Sequence, residues 1–190
     1  MIDYFALLQQ ARRPWLNANQ LKEKYIQLTI STHPDQQTRR PENPAPDFAN
    51  INEAFRVLVD PKSRLQHLLK LEGIAASADP VPETLADLFL ETGTLIQEID
   101  RLLSRTTANA LSKALRDPEI LETRRLAAHL LDKLEKMYQS ALKELEALDR
   151  LWNSTHEIAP ELSALSSKLA YLTRWIAQLE ERQFQLSLLA

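Results

Sequence analysis

Apolar residues recur along most of this chain at alternating steps of three and four, the spacing that places them on one face of an α-helix. Glycine occurs only twice in the 190 residues, whereas Leu, Ala, Glu, Gln and Lys, which favour helix, are abundant. Long runs of β-branched residues, which would favour strands, do not occur. The pattern therefore predicts an all-α protein.

Two helices are predicted at the start of the chain. Asp3 is a candidate N-cap for a short first helix. Asn17 or Asn19 can cap a second, longer helix with an apolar stripe. That second helix must end near Thr32, because Pro34 disfavours helical backbone at the residue before it.

Two further helices follow the loop sequence QQTRRPENPAP. The third begins at Asp47, and the fourth has Asp60 as N-cap with Pro61 in its first position, a combination typical of helix starts. We predict that the second and third helices pack as an antiparallel hairpin. The sequence His-Pro-Asp would then form the turn at one end of that hairpin.

A domain boundary is predicted after the fourth helix. Gly73 can adopt the positive φ that commonly ends a helix, and the following IAASADPVP, with its two prolines, is typical of a linker. The predicted organisation is a first domain at residues 1–73, a linker at 74–82 and a second domain at 83–190.

Three apolar seams in the second domain predict an antiparallel three-helix bundle. Asp117 and Pro118 indicate the start of its middle helix, and residues 105–116 are predicted to be a helical extension or a connector. The seams consist of Leu85, Leu88, Thr92, Leu95, Ile99 and Leu102; of Leu131, Leu134, Tyr138, Ala141, Leu145, Leu148 and Trp152; and of Leu162, Leu165, Leu169, Leu172, Ile176 and Leu179.

Composition and charge exclude several classes of function. Residues 1–73 carry a net charge of +2 and residues 74–190 a net charge of −5, so neither part is basic enough to predict nucleic-acid binding. No apolar run is long enough to cross a membrane, and the start of the chain lacks the features of a secretory signal, so we expect a cytoplasmic protein. Without cysteine, and with four histidines that lack ligand spacing, no metal site or cofactor is expected.

The first domain resembles the J-domain of the DnaJ class of co-chaperones. The resemblance rests on DYF at the first helix, on Leu-x-x-x-Tyr-x-x-Leu before HPD, and on INEAFRVLVDPKSR after the loop, all in the order and spacing of that family. It implies that His33, Pro34 and Asp35 trigger ATP hydrolysis by a partner chaperone of the DnaK or HscA type. The resemblance also implies a supporting set of chaperone-binding residues: Lys22, Lys24, Tyr25, Arg39 and Arg40.

A physical reason connects this turn with docking. Pro34 restricts the backbone, so the imidazole of His33 and the carboxylate of Asp35 can be held outward with few rotamers left to freeze when a partner binds. The carboxylate suits an arginine fork on the partner. The alternative is that Asp35 only accepts hydrogen bonds from amides of the turn and His33 only tolerates its position before proline.

The sequence departs from the usual J-domain pattern at three positions. Ile26 and Gln27 stand where basic residues are common, and Gln36 stands where the residue after HPD is usually lysine. These departures make a dedicated chaperone with a less acidic groove a plausible partner.

The whole chain is similar to a J-domain subfamily, the iron–sulfur cluster assembly co-chaperones of the HscB type. HLLKLEG, MIDYFALL, LFLETGTLIQEID and LAYLTRW carry this resemblance. It implies that the bundle binds an iron–sulfur scaffold protein of the IscU type through Phe89, Leu90 and Tyr171, near Gln97. Gly93, Thr94 and Gln97 stand where the usual pattern would favour leucine and glutamate. Alternatively, the three apolar residues only widen the buried face of the bundle.

Three other functions remain open from the sequence. His33 and Asp35 could act as an acid–base pair in an enzyme, but an exposed turn lacks the enclosed pocket that such chemistry needs. No glycine-rich phosphate loop is present, so we expect no catalytic residue and assign the ATPase activity to the partner. The chain could also be a J-domain co-chaperone with a different client, or a structural coiled-coil protein with a degenerate first domain.

Overall fold

The computed structural model describes residues 1–32, 48–74, 83–105, 110–152 and 157–189, with residues 110–116 described by their backbone alone. All regular structure within these ranges is helical, which confirms the all-α prediction. The helices are α1 (Tyr4–Leu7), α2 (Ala18–Thr32), α3 (Phe48–Val59), α4 (Pro61–Leu71), α5 (Ala86–Ser104), α6 (Ala110–Leu151) and α7 (Ala159–Ser187), with a short 3₁₀ helix at Glu83–Leu85 before α5.

The chain divides into two compact units. The first contains Met1–Ser77 and Leu142–Ser166, and the second contains Ala78–Ala141 and Ser167–Ala190. The long helices α6 and α7 therefore contribute residues to both units. Residues 75–82, which make up most of the predicted linker, lie outside the described part of the chain. The predicted domain boundaries stay a prediction.

The helix ends of the first unit follow the polar residues that mark them in the sequence. Asp3 caps α1 by accepting hydrogen bonds from two backbone amides, and Asp60 caps α4 by accepting one from the amide of Ser63. Asn17, and not Asn19, caps α2. Gly73 ends α4 with a φ of +69°, as its position predicts.

The antiparallel hairpin predicted from the sequence is formed by α2 and α3. Its described contacts include the ring of Tyr25, which stacks on that of Phe55 at a centroid separation of 4.2 Å, and the Tyr25 hydroxyl, which donates to Asn52 Oδ1 at 2.8 Å. Buried residues from α1 to α4 complete the core of this unit: Phe5, Leu8, Leu16, Leu21, Ile51, Ala54, Leu58 and Leu68.

A buried arginine joins two parts of this core. The side chain of Arg64 is 3% exposed, and its guanidinium donates to the carbonyl oxygens of Pro14 at 2.9 Å and Leu58 at 2.8 Å. Its Cζ atom also lies 5.8 Å from the centroid of the Trp15 ring. Arg64 thereby ties the segment between α1 and α2 to the junction of α3 and α4.

The last turns of α6 hold the same segment from another side. Asp149, which is buried, accepts from the guanidinium of Arg13 at 2.7 Å and from the backbone amide of Trp15 at 3.0 Å. The indole of Trp152 donates to the carbonyl oxygen of Arg12 at 2.9 Å. These bonds join the end of α6 to the first unit, to which residues 142–166 belong.

A histidine fixes the start of α1 against α4. The Nε2 atom of His67 accepts from the backbone amide of Tyr4 at 3.2 Å, and its ring stacks on the rings of Tyr4 and Phe5. Because Nε2 accepts a hydrogen bond, this contact requires the neutral imidazole.

The surroundings of His67 disfavour its protonation. Burial lowers the pKa of His67 below its usual value, the carboxylate of Asp3 opposes this effect, and the charges of Lys70 and Arg12 add to it. The unfolded chain therefore takes up a proton at His67 more readily than the folded chain.

The second unit is an antiparallel three-helix bundle, as the seams predict, formed by α5 with the part of α6 up to Ala141 and the part of α7 from Ser167. The seam residues of α6 and α7 between 142 and 166 lie in the first unit. The ion pairs of the bundle are Glu91–Lys133 and Arg101–Glu119 between α5 and α6, and Asp100–Arg182 between α5 and α7. Along α5 the residue numbers of these contacts rise while those on α6 fall, so α5 and α6 are antiparallel. Phe89 contacts Trp175, and Asp100 contacts Arg182. The residue numbers rise together along the two helices, so α5 and α7 are parallel.

One predicted helix start is wrong. The middle helix of the bundle begins at Ala110 and not at Asp117, and Pro118 lies inside it. The missing amide of a proline is harmless in the first turn of a helix and removes one hydrogen bond further in, so the sequence pattern alone did not separate the two positions. The prediction of a helical extension before Asp117 is confirmed for residues 110–116.

We expect Arg64→Met to destabilise the first unit by roughly 2–4 kcal/mol, because two buried carbonyl groups lose their charged donor. Urea unfolding of the full chain measures this loss. Arg56→Met is the control, since Arg56 is exposed and pairs with Glu53 on the surface of α3, and we expect it to have little effect. Equal losses in the two variants would contradict the proposed role of Arg64.

The depressed pKa of His67 gives stability a pH dependence. As pH falls through the unfolded value of about 6.5, only the unfolded chain gains the proton at first, so the free energy of unfolding decreases. His67→Gln keeps an acceptor for the Tyr4 amide but does not titrate. We expect wild type to lose stability relative to this variant between about pH 7.5 and pH 5.5. Parallel pH profiles in chemical unfolding would refute the assignment.

Candidate functional site

The predicted chaperone-binding residues fall into two groups. His33, Pro34, Asp35, Arg39 and Arg40 lie outside the described residues, so their part in docking stays a prediction. The remaining members of the set lie on α2 and can be placed.

The two lysines of α2 differ in exposure from each other, and a tyrosine lies beside them. Lys22 is exposed and Lys24 is half-buried. Tyr25 is half-buried as well, and its contacts with Phe55 and Asn52 lie inside the hairpin. The structure therefore gives Tyr25 a packing role in the hairpin, whatever it contributes to docking.

The exposed face of α2 carries apolar residues as well as a lysine. Ile26 is 44% exposed and Ile30 is 56% exposed, and with Lys22 they are spaced at intervals of four residues, which places all three on one face. Monomeric proteins usually bury large isoleucines that lie one turn apart, or use them for binding. The sequence showed the loss of basic residues here, and the structure adds that the replacement is exposed.

The predicted client-binding residues all lie in the second unit. Phe89 and Leu90 are 48% and 65% exposed, Gln97 is exposed and Tyr171 is half-buried. Neither Phe89 nor Leu90 is part of the buried face of the bundle. This observation argues against the alternative in which these residues only widen the core.

Phe89 and Tyr171 meet around a third aromatic residue that the sequence analysis missed. The ring centroid of Trp175 lies 6.3 Å from that of Phe89 and 5.5 Å from that of Tyr171. The three rings flank an open cleft of about 140 Å³ between α5 and α7, which we call the Gly93 cleft. It is lined by Phe89, Thr92, Gly93, Ile96, Tyr171, Arg174, Trp175 and Gln178. Leu90 and Gln97 are outside this lining.

A helical spacing could have revealed the missed residues. Tyr171, Trp175 and Gln178 follow one another at intervals of four and three, so they form a stripe next to the buried seam of α7. The prediction followed the leucines of that seam and left Trp175 out. Trp175 is 5% exposed, so it belongs to the core and to the cleft wall at once.

Three of the four acidic side chains of α5 are neutralised by partners, and the fourth, Asp87 in the first turn, pairs with no residue that the structure describes. The carboxylate of Glu91 lies 2.7 Å from Lys133 Nζ, and that of Asp100 lies 2.9 Å from Nε of Arg182. A third carboxylate, that of Glu98, accepts from a neighbouring arginine on α5, and this hydrogen bond lowers its pKa. The surface around the cleft therefore offers little unpaired negative charge.

Neither a membrane span nor a metal site is found in the described part of the chain. No helix there is both long and apolar enough to span a bilayer. The same residues contain no cluster of His, Asp or Glu side chains that could hold a metal ion.

Comparison with known proteins agrees with this architecture. The family model of the DnaJ domain matches residues 3–67. The solved structure of the chaperone HscB from Vibrio cholerae superposes with a TM-score of 0.63 and 21% identity, covering 97% of this chain and 99% of that one, so the two share a fold.

Two curated relatives extend the similarity over most of the sequence. The co-chaperone protein HscB of Proteus mirabilis (strain HI4320) is 29% identical over 189 residues, which cover 96% of this chain and 98% of that protein. The HscB homolog of Azoarcus sp. (strain BH72) is 32% identical over 171 residues, which cover 76% of this chain and 96% of that protein. The chain belongs to the HscB family of J-domain co-chaperones.

Proposed function

We propose that this protein docks on a chaperone ATPase of the DnaK or HscA type through His33, Pro34 and Asp35, stimulates its ATP hydrolysis, and delivers an iron–sulfur scaffold protein of the IscU type through the second unit. The observation that carries the proposal is the DnaJ-domain match over residues 3–67, which includes the His-Pro-Asp sequence.

The hairpin supports a docking role because it is stiff at its base. The stacked rings of Tyr25 and Phe55, together with the bond from the Tyr25 hydroxyl to Asn52, fix α2 against α3. A docking surface on two helices that are fixed against each other loses little conformational freedom when a partner binds, and proline at position 34 restricts its own backbone φ. Such preorganisation favours affinity without a large contact area.

The exposed face of α2 indicates what kind of chaperone groove it would meet. Lys22 supplies a positive charge, while Ile26 and Ile30 supply apolar area on the same face. Association that depends on few charges is less accelerated by electrostatic steering and less sensitive to salt. A dedicated chaperone with a partly apolar and less acidic groove fits this face better than a strongly acidic one.

The second unit supplies the client-binding surface of the proposal. Phe89 and Leu90 are large, apolar and exposed, and Tyr171 stands beside Trp175. A few residues usually contribute most of the binding energy of an interface, and exposed aromatic residues next to a cleft are typical of them. In the HscB type the client implied by resemblance is an iron–sulfur scaffold, and Gln97 would lie at the edge of that interface.

Stimulation of ATP hydrolysis tests the first half of the proposal. We expect the wild-type protein to accelerate a purified HscA-type or DnaK-type ATPase, and His33→Gln to lose about tenfold or more of that effect, because a partner contact at the turn is removed. His129→Gln is the matched control, since His129 is an exposed histidine on α6. Equal stimulation by His33→Gln and wild type would contradict the proposed docking role of His33.

Calorimetric titration with a purified IscU-type scaffold tests the second half. We expect Phe89→Ala to weaken binding by about tenfold or more, as loss of an aromatic anchor typically does. Phe184→Ala is the matched control, because Phe184 is a 61% exposed phenylalanine on α7 that does not line the cleft. Absence of binding by the wild type would exclude the scaffold as client, and the same loss in both variants would contradict the role of Phe89 as an anchor.

A further inference from the structure

Gly93 occupies a helix interior without a backbone reason for being glycine. It lies in the middle of the 19-residue helix α5, where glycine costs about 1 kcal/mol relative to alanine. Its φ is not positive, and a Cβ atom added to it would have no heavy atom within 4 Å. Neither backbone strain nor a close neighbour therefore requires glycine at this position. The missing side chain leaves the base of the Gly93 cleft open.

The dimensions of the cleft suit one apolar side chain. Its volume of about 140 Å³ is close to that of an engineered protein cavity of about 150 Å³ that binds benzene. The rings of Phe89, Tyr171 and Trp175 would contact an inserted group from several sides. A leucine or phenylalanine side chain is of the right size.

A buried hydroxyl in the lining lacks a partner. Thr92 is 1% exposed, and its Oγ1 atom makes no hydrogen bond within the described part of the structure. Leaving such a group unpaired costs roughly 1–3 kcal/mol. Because this oxygen is closed to solvent, it adds no exposed hydrogen-bonding group to the surface of the cleft, and recognition there depends on the aromatic rings and on charge.

Arg174 supplies the charge of the cleft. It is the one charged residue of the lining, it is exposed, and it forms no ion pair with any residue that the structure describes. The nearby carboxylates of Glu91 and Asp100 are occupied by Lys133 and Arg182. The charge within the described lining of the cleft is therefore positive, and a guanidinium binds a carboxylate in a bidentate geometry.

We propose that the Gly93 cleft binds a client segment in which a leucine or phenylalanine side chain is flanked by a carboxylate, the apolar group entering between the aromatic rings and the carboxylate pairing with Arg174. The proposal rests on the client-delivery role proposed above and specifies the chemistry of that client. An acidic flank is favoured over a basic one because the one charged residue of the described lining is positive.

Synthetic peptides test this chemistry on the full chain. The probes are fluorescein-labelled peptides with the central sequences Asp-Phe-Asp, Lys-Phe-Lys and Asp-Ser-Asp, and fluorescence polarisation gives their dissociation constants. We expect wild type to bind the Asp-Phe-Asp peptide about tenfold more tightly than either of the others. Equal or tighter binding of the Lys-Phe-Lys peptide, or no measurable binding of any peptide, would overturn the proposal.

Two substitutions assign the binding to the cleft. At Gly93 a Cβ atom meets no heavy atom within 4 Å, so a leucine side chain can start into the cleft. Gly93→Leu should weaken binding of the Asp-Phe-Asp peptide about tenfold, whereas Gly93→Ala, which gives a similar gain in helix propensity with one methyl group, should weaken it far less. Arg174→Glu should reverse the preference toward the Lys-Phe-Lys peptide. An unchanged affinity in Gly93→Leu, or an unchanged preference in Arg174→Glu, contradicts the inference.

Two further outcomes distinguish this inference from the co-chaperone role and from self-association. Wild-type protein that stimulates the chaperone ATPase but does not discriminate among the peptides refutes the inference and leaves the co-chaperone role standing. Wild-type protein that discriminates among the peptides but does not stimulate the chaperone ATPase refutes the co-chaperone role and leaves the inference standing. Self-association in sedimentation velocity that disappears in Gly93→Leu would show that a second copy of the chain occupies the cleft, which also refutes the proposal.

Discussion

The buried guanidinium of Arg64 is the contact on which the first unit depends. It satisfies the carbonyl oxygens of Pro14 and Leu58, which lie in two different segments of the core, and it lies over the ring of Trp15. A charged group taken out of water is tolerated only when its donors are bonded, so this arrangement fixes the segment before α2 and the end of α3 at once. The position of the segment before α2 relative to the end of α3 follows from that constraint.

Much of the fold was predictable because it is encoded locally. The caps at Asp3, Asn17 and Asp60 and the positive φ at Gly73 depend on one or two residues each, and the apolar seams of the bundle depend on spacing alone. The start of α6 was not predictable in this way. Whether Pro118 opens a helix or lies inside one depends on packing along the whole helix, which a local signal does not contain.

The candidate client site shows the same division. Phe89 lies outside the apolar seams read from the sequence, and the structure places it on the surface. The cleft beside it was not predictable, because it depends on side chains from two helices that are distant in sequence. Trp175 is buried in the core and also lines the cleft. Dividing the residues into a buried seam and an exposed surface therefore placed it in neither group. Pairing of the acids on α5 is likewise a tertiary effect: the sequence shows their number, and only the structure shows that Lys133 and Arg182 neutralise two of them.

Both candidate docking surfaces depart from a purely electrostatic design in the same direction. On α2, Ile26 and Ile30 present exposed apolar area beside a single exposed lysine, and in the bundle the Gly93 cleft presents three aromatic rings and one cation. Apolar surface gives affinity that persists at high salt but little long-range steering, so recognition at such surfaces depends on shape. In the proposal above, the contacts of a client side chain in the Gly93 cleft offset the roughly 1 kcal/mol that glycine costs α5.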